Sequence, residues 1–163
     1  MNPKTIYFSI LLCFALVISI SCQGQESYEW SSVTDSNAVS LNVAGTTPFV
    51  GIAYERLITN KLNFEAGIGV FSVGVALKYF PFPIYANKMV FHLELGSNLF
   101  GTPFDTFGST DFSNTNYLAF GLSYFGREGF NFGLGIGPSI NYDFTFDEVA
   151  QSFYGNLKLG YRF

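Results

Sequence analysis

Charge is scarce in this 163-residue chain: Asp, Glu, Lys and Arg together make up 12% of it, about half the usual quarter. That excludes a surface laced with ion pairs. With 8 Lys+Arg against 12 Asp+Glu and a formal charge of −4, it also excludes electrostatic binding to nucleic acid. Cysteine is confined to Cys13 and Cys22, so the rest of the chain has no disulfide framework. His92 is the single histidine. No paired Cys/His spacing, no glycine-rich dinucleotide fingerprint and no nucleophile elbow occurs, so neither metal nor cofactor is expected. Beyond the amino-terminal segment, no apolar run reaches the roughly 18 residues that mark a spanning helix. Yet 48% of the residues are hydrophobic and 19% aromatic. A greasy chain without a spanning helix must put its apolar residues on alternate positions of strands.

Residues 1–21 read as an export signal. Lys4 supplies the positive start, and the apolar run from Tyr7 to Ile20 is short for a helix that needs roughly 20 residues to cross a bilayer. Cleavage is expected between 21 and 25, where Ser21, Cys22 and Gly24 are small. A second reading takes Ser19-Ile20-Ser21-Cys22 as a lipobox with Cys22 acylated, although Ser19 stands where an aliphatic residue is normal. Residues 22–37 form a polar lead-in, and 38–163 make one domain.

Eight strands are expected, over 38–45, 48–58, 62–71, 73–80, 88–97, 116–126, 129–139 and 152–163. Most have about the 9–11 residues that a tilted strand needs to cross a membrane. Strict alternation gives one apolar set (Val39, Leu41, Val43 in the first strand, Leu157, Leu159, Tyr161, Phe163 in the last). The opposite parity holds Glu55, Glu65, Lys78, His92, Glu94, Lys158 and Arg162. Arg56 alone breaks the pattern, either snorkelling at headgroup level or lying past a bulge.

Which set faces inward decides the class. In a soluble barrel the apolar set fills the interior; in a membrane barrel lipid is the outer solvent and the faces are swapped. Three features favour the swap. The polar parity carries ten glycines, among them Gly67, Gly96, Gly121 and Gly160, which make room for long charged neighbours in a narrow interior. Its three carboxylates match its three strand cations, as a sealed lumen requires. Aromatics crowd the strand ends, at Tyr79, Phe80, Phe82 and Tyr85, at Tyr124, Phe125 and Phe130, and at Tyr161 and Phe163, as girdles at two interfaces would. The expected fold is all-β: a closed antiparallel up-and-down transmembrane β-barrel of eight strands.

Short turns at 59–61, 81–87 and 127–128 then fall on the periplasmic side, with the long connections 97–115 and 140–151 outside the cell. Asp105, Asp111, Asp143, Asp147 and Glu148 lie in those long connections, against Lys61, Lys88 and Arg127 at the other rim.

The closing segment Leu157-Lys158-Leu159-Gly160-Tyr161-Arg162-Phe163, with its alternation and terminal aromatic, resembles the last strand of bacterial outer-membrane barrels. Together with Pro48–Leu57 and Leu62–Gly69, it makes the chain similar to the small OmpX/OmpA-type barrels over residues 38–163. Lys158 departs from that pattern, standing where glycine is common. The resemblance implies the bacterial outer membrane as location and outer-membrane lipid as surroundings. It also implies recognition by the barrel-insertion machinery through Leu157, Leu159, Tyr161 and Phe163.

His92 and Glu94, two residues apart on one strand, share a face about 7 Å apart and could form an acid–base pair. A buried hydrogen-bond network accounts for them equally, and catalysis is not expected. The acidic connections match no calcium loop. The expected role is a filled-lumen scaffold whose outer connections, with Phe100, Phe104, Phe107, Phe112, Tyr142, Phe144 and Phe146, either meet an extracellular partner or extend the strands. The alternatives are a secreted soluble barrel holding an apolar ligand, and a lipid-modifying enzyme using His92.

Overall fold

The structure is a computed structural model and describes residues 35–102, 111–144 and 147–163. Its strands are β1 (Asn37–Ala44), β2 (Val50–Thr59), β3 (Leu62–Gly69), β4 (Ser72–Tyr79), β5 (Lys88–Thr102), β6 (Asp111–Phe125), β7 (Phe130–Asp143) and β8 (Glu148–Arg162). Each pairs antiparallel with the next, and β8 returns to β1, so the sheet is a closed up-and-down barrel. Every expected strand overlaps an observed one. The expected signal, Cys22 and most of the lead-in lie outside the described residues.

The period of two sorts the side chains as the composition demands. Along β3, Asn63 and Glu65 are buried while Phe64 and Ile68 are exposed, Ile68 at 71%. Along β1, Ser40 and Asn42 are buried and Val39, Leu41 and Val43 exposed. Apolar side chains clothe the outside and polar ones fill the inside, the inverse of a water-soluble barrel. Arg56 faces outward one residue before the irregular pairing at Leu57 and Thr59.

Register fixes the barrel's shape. Followed around the sheet, Asn42 pairs with Gly51, Gly69, Ser72, Phe100, Ser113, Asp143 and finally Glu148. Its partner across the closing seam is Lys158, ten residues along β8 from Glu148. That stagger tilts the strands by roughly 35–45° and leaves an interior just wide enough for side chains.

The wall is uneven. β1 to β4 have 8, 10, 8 and 8 residues, whereas β5 to β8 have 15, 15, 14 and 15. The expected connections 97–115 and 140–151 are therefore mostly strand, and only 103–110 and 144–147 join the strands there. The reason is that the outward positions of this stretch, Asn114, Asn116, Pro138 and Gln151, mix with polar inward ones, so the two faces lose their contrast. A ladder needs only the backbone and continues regardless. Asp105, Phe104, Phe107 and Phe146 lie outside the described residues.

One further expectation changes. Phe80 and Phe125, expected among the interfacial aromatics, are buried inside the barrel. With Ile84 and Val90, and Leu57 against them, they form an apolar stopper at the rim carrying Asn37 and Phe163. Phe80 and Phe125 meet edge-on, with centroids 5.7 Å apart. At the opposite rim the β1–β2 connection folds into the lumen. Ala44 and Gly45 both adopt positive φ, which turns the chain inward, and Thr46 and Thr47 are fully buried.

Candidate functional site

Between the apolar stopper and the inward loop lies a layer of charge drawn from five strands. Lys78 of β4 sits 2.6 Å from Glu65 of β3 and 3.4 Å from Glu94 of β5. Lys158 of β8 sits 2.7 Å from Glu55 of β2 and 3.0 Å from Glu65. Glu65 is the hub, for it also accepts hydrogen bonds from Asn42 and Thr46, each at 2.7 Å. Glu55 accepts from Asn63 at 2.7 Å. Glu94 accepts from Tyr117 at 2.8 Å and Asn156 at 3.1 Å. Charges removed from water are tolerated when paired and hydrogen-bonded in this way. Lys158 reaches past β1 to β2 and β3, so its two ion pairs span the seam where β8 closes on β1.

The sequence groups Arg162 with these residues; the structure sets it apart. It is buried at the stopper end, its guanidinium 5.1 Å above the Phe125 ring and its Nε donating to the Asp35 carbonyl at 3.4 Å.

Glycines make the layer fit. A Cβ on Gly96 would lie 2.2 Å from the Tyr117 ring, and one on Gly121 would lie 2.6 Å from the His92 ring. One on Gly67 would lie 2.4 Å from the Thr46 hydroxyl. Each glycine thus faces a bulky neighbour that occupies its missing side chain's space. What remains is a cavity of about 10 Å³ between Asn42, Glu65, Lys78, Glu94, Asn156 and Lys158, room for about one water.

His92 has a neighbour that the sequence did not single out. Its Nδ1 lies 2.9 Å from the Ser123 hydroxyl, while its Nε2 lies 3.6 Å from Glu94. The order Ser–His–Glu resembles a nucleophile, base and orienting acid. All three are buried, at 4%, 1% and 1% exposure, beneath the Tyr117 ring and above Phe80, whose ring is 5.9 Å from that of His92. A reacting carbonyl would need space beside the hydroxyl and donors aimed at its oxygen. Tyr117 was missed, although its place on the inward parity of β6 is a signal that could have found it. Thr46 and Thr47 carry no such signal, because nothing in a short polar connection says that it folds inward.

Above the charged layer the lumen is capped. The Gly45 carbonyl accepts from Asn98 at 3.0 Å and from the Tyr154 hydroxyl at 2.9 Å, and Tyr154 packs on Tyr117 with centroids 4.7 Å apart. Beyond it the inner face of the tall wall is polar and self-satisfied, with Thr115 donating to Asn141 and Asn141 to Ser152. At the tip Tyr142 donates to Asp147, and this bond raises the phenol's pKa above its ordinary value. Among the described residues, no group of His, Cys, Asp and Glu is arranged to hold a metal ion.

A closed eight-stranded barrel with an apolar exterior and an ion-paired, side-chain-filled lumen has the architecture of the small OmpA-type barrels. The N-terminal β-barrel domain of Pseudomonas aeruginosa OprF shares that fold, with a TM-score of 0.57 over 79% of this chain and 98% of that one. The two sequences are 11% identical, so the likeness is one of fold. No family model and no curated protein matches the chain.

Proposed function

We propose that this chain is an integral protein of a bacterial outer membrane, a scaffold with a sealed lumen whose interactions take place at the tall rim. The observation that carries this reading is the inverted polarity: exposed Leu41, Ile52, Ile68, Leu95, Leu134 and Ile136 surround buried Glu55, Glu65, Lys78, Glu94 and Lys158. In water such a surface would be an aggregation site; against acyl chains it is the favourable one. Tyr54, Tyr79, Tyr124 and Tyr161 near the shorter-turn rim suit an interface between lipid and water.

Within this reading the partners are outer-membrane lipid, the insertion machinery reading Leu157, Leu159, Tyr161 and Phe163, and an extracellular partner at the tall rim. No nucleic acid enters it. Stopper, charged layer and inward loop together favour a structural lumen over a conducting one. The polar, ion-paired lining of the described lumen does not favour an apolar ligand, and the burial of Ser123, His92 and Glu94 does not favour a lipid-modifying role.

The test is membrane fractionation combined with gel mobility before and after heating. The expected result is recovery in the outer-membrane fraction and a fast-migrating folded band that slows on boiling. A chain that folds and stays soluble without detergent would sink the proposal. Replacing 97–115 and 140–151 by short turns is expected to leave insertion intact and remove partner binding.

A further inference from the structure

The unequal wall heights leave one sheet edge without a second strand among the described residues. Residues Glu148 to Gly155 of β8 pair on one side with Asp143 to Ile136 of β7. On the other side, pairing with β1 starts only at Asn156 opposite Ala44, so these eight residues have no second strand partner among the described residues. The opposite edge of the tall wall is covered: β5 pairs with β4 as far as Phe100, and the Gly101 amide donates to the Phe71 carbonyl.

Sheet edges are ordinarily blunted by lysine, proline, bulges or a covering segment. This one has an unbroken register with β7 and contains no Lys or Pro. Glu148 to Phe153 are exposed without interruption, Val149 at 63% and Phe153 at 83%. The outer side of the edge alternates Val149, Gln151 and Phe153, and the inner side carries Ala150 and Ser152. An added strand gains affinity from main-chain hydrogen bonds and selectivity from such alternate side chains.

Charge and symmetry narrow the occupant. Between residues 97 and 157, the one Lys or Arg is Arg127 at the far rim, whereas Asp143, Asp147 and Glu148 stand at this one. A second copy in the same membrane points its β8 in the same direction, so the two edges could meet only in parallel, the less stable pairing. We propose that the Glu148–Gly155 edge docks an extended peptide segment of a partner protein. The segment adds as an antiparallel strand and carries lysine or arginine where it passes Asp147 and Glu148. The proposal rests on the membrane reading for the exposure of this rim to the cell exterior.

The test uses the full chain folded in detergent micelles, with insertion-competent folding verified first by heat-modifiable mobility. The probe is a synthetic peptide of alternating valine and threonine ending in two lysines at its carboxyl end. Saturating peptide is expected to slow hydrogen exchange at amides within Glu148–Gly155 by at least about tenfold, with the β1–β4 turns unchanged. Replacing its lysines by glutamate should weaken binding by roughly tenfold at low salt. Val149→Lys with Gln151→Lys should abolish binding. Glu148→Lys alone, at the exposed tip and harmless to folding, should reproduce the loss seen with the glutamate peptide.

A folded barrel whose edge amides exchange equally fast with and without peptide would overturn the proposal, as would equal binding of both peptides. Spontaneous Gln151→Cys crosslinks between copies in one vesicle would overturn it in favour of self-association. Failure of the membrane reading shows separately, as a chain that folds without detergent.

Discussion

Inside this barrel two kinds of core are stacked, and they obey opposite rules. The stopper of Phe80, Ile84, Val90 and Phe125 is held by burial and contact, as in any soluble protein. The layer beside it is built from Glu55, Glu65, Lys78, Glu94 and Lys158, groups whose burial is costly unless every partner is present. The stopper is insensitive to which apolar side chain fills it, within limits of volume. The ionic layer is sensitive to identity at every position, and that makes it the better specifier of register. If β8 slid along β1 by two residues, its faces would be preserved, but Lys158 would leave Glu55 and Glu65. Asn156 or Gly160 would stand in its place.

The largest effect is therefore expected at the seam. Lys158→Met strips Glu55 of its one close cation while Glu65 retains Lys78 at 2.6 Å, leaving a buried carboxylate unpaired. The expected loss is about 3–5 kcal/mol, read from urea unfolding of the barrel in lipid vesicles. The sharper arm removes both partners: Lys158→Met with Glu55→Leu is expected to recover most of that loss, because an apolar pair of similar volume replaces the ion pair. If the double variant is no more stable than the single, the ionic layer contributes more than compensation of its own charges.

Phe125→Ala tests the other core. It removes a ring that touches Phe80 and underlies Arg162, so a cavity forms and the guanidinium loses its platform. The expected cost is roughly 3 kcal/mol, while Phe125→Leu should cost about 1 kcal/mol because shape changes are tolerated better than voids. The same kind of conservative change in the ionic layer, Lys78→Met, should not be tolerated. Equal tolerance in both layers would break the comparison.

How much of this was legible follows the same division. Alternation over Leu157, Leu159 and Tyr161 and over Glu65, Lys78 and Glu94 revealed both faces, because an apolar exterior and a side-chain-filled polar lumen make opposite demands on neighbouring residues. The glycines Gly96 and Gly121 signalled an inward face without telling which ring, Tyr117 or His92, each would admit. Phe80 and Phe125 misled, since an aromatic near a strand end serves equally in a girdle or a stopper and only the parity separates them. Beyond Ser97, Asn116 and Pro138 the outward positions include polar residues, the contrast between faces fades, and strands read as loops. The inward turn of Thr46 and Thr47 depends on long-range fit to Glu65 and Asn42, for which no local pattern exists.

The smallest effect is expected where the charged layer meets the stopper. Ser123 places its hydroxyl there, 2.9 Å from His92 Nδ1. If that oxygen serves only to satisfy the imidazole, Ser123→Ala removes the hydrogen bond at Nδ1 from a ring whose Nε2 already has none, and costs about 1 kcal/mol. The ring cannot move away, since it is wedged into the space left by Gly121. If Ser123 were instead a nucleophile activated by His92 and Glu94, stability would hardly change while turnover of outer-leaflet lipid would vanish. Measuring urea midpoint and lipid acyl-chain release on the same folded sample separates the two. A shifted midpoint with no change in lipid turnover assigns the trio to the lumen's hydrogen-bond network, and an unshifted midpoint with lost turnover would assign it to catalysis.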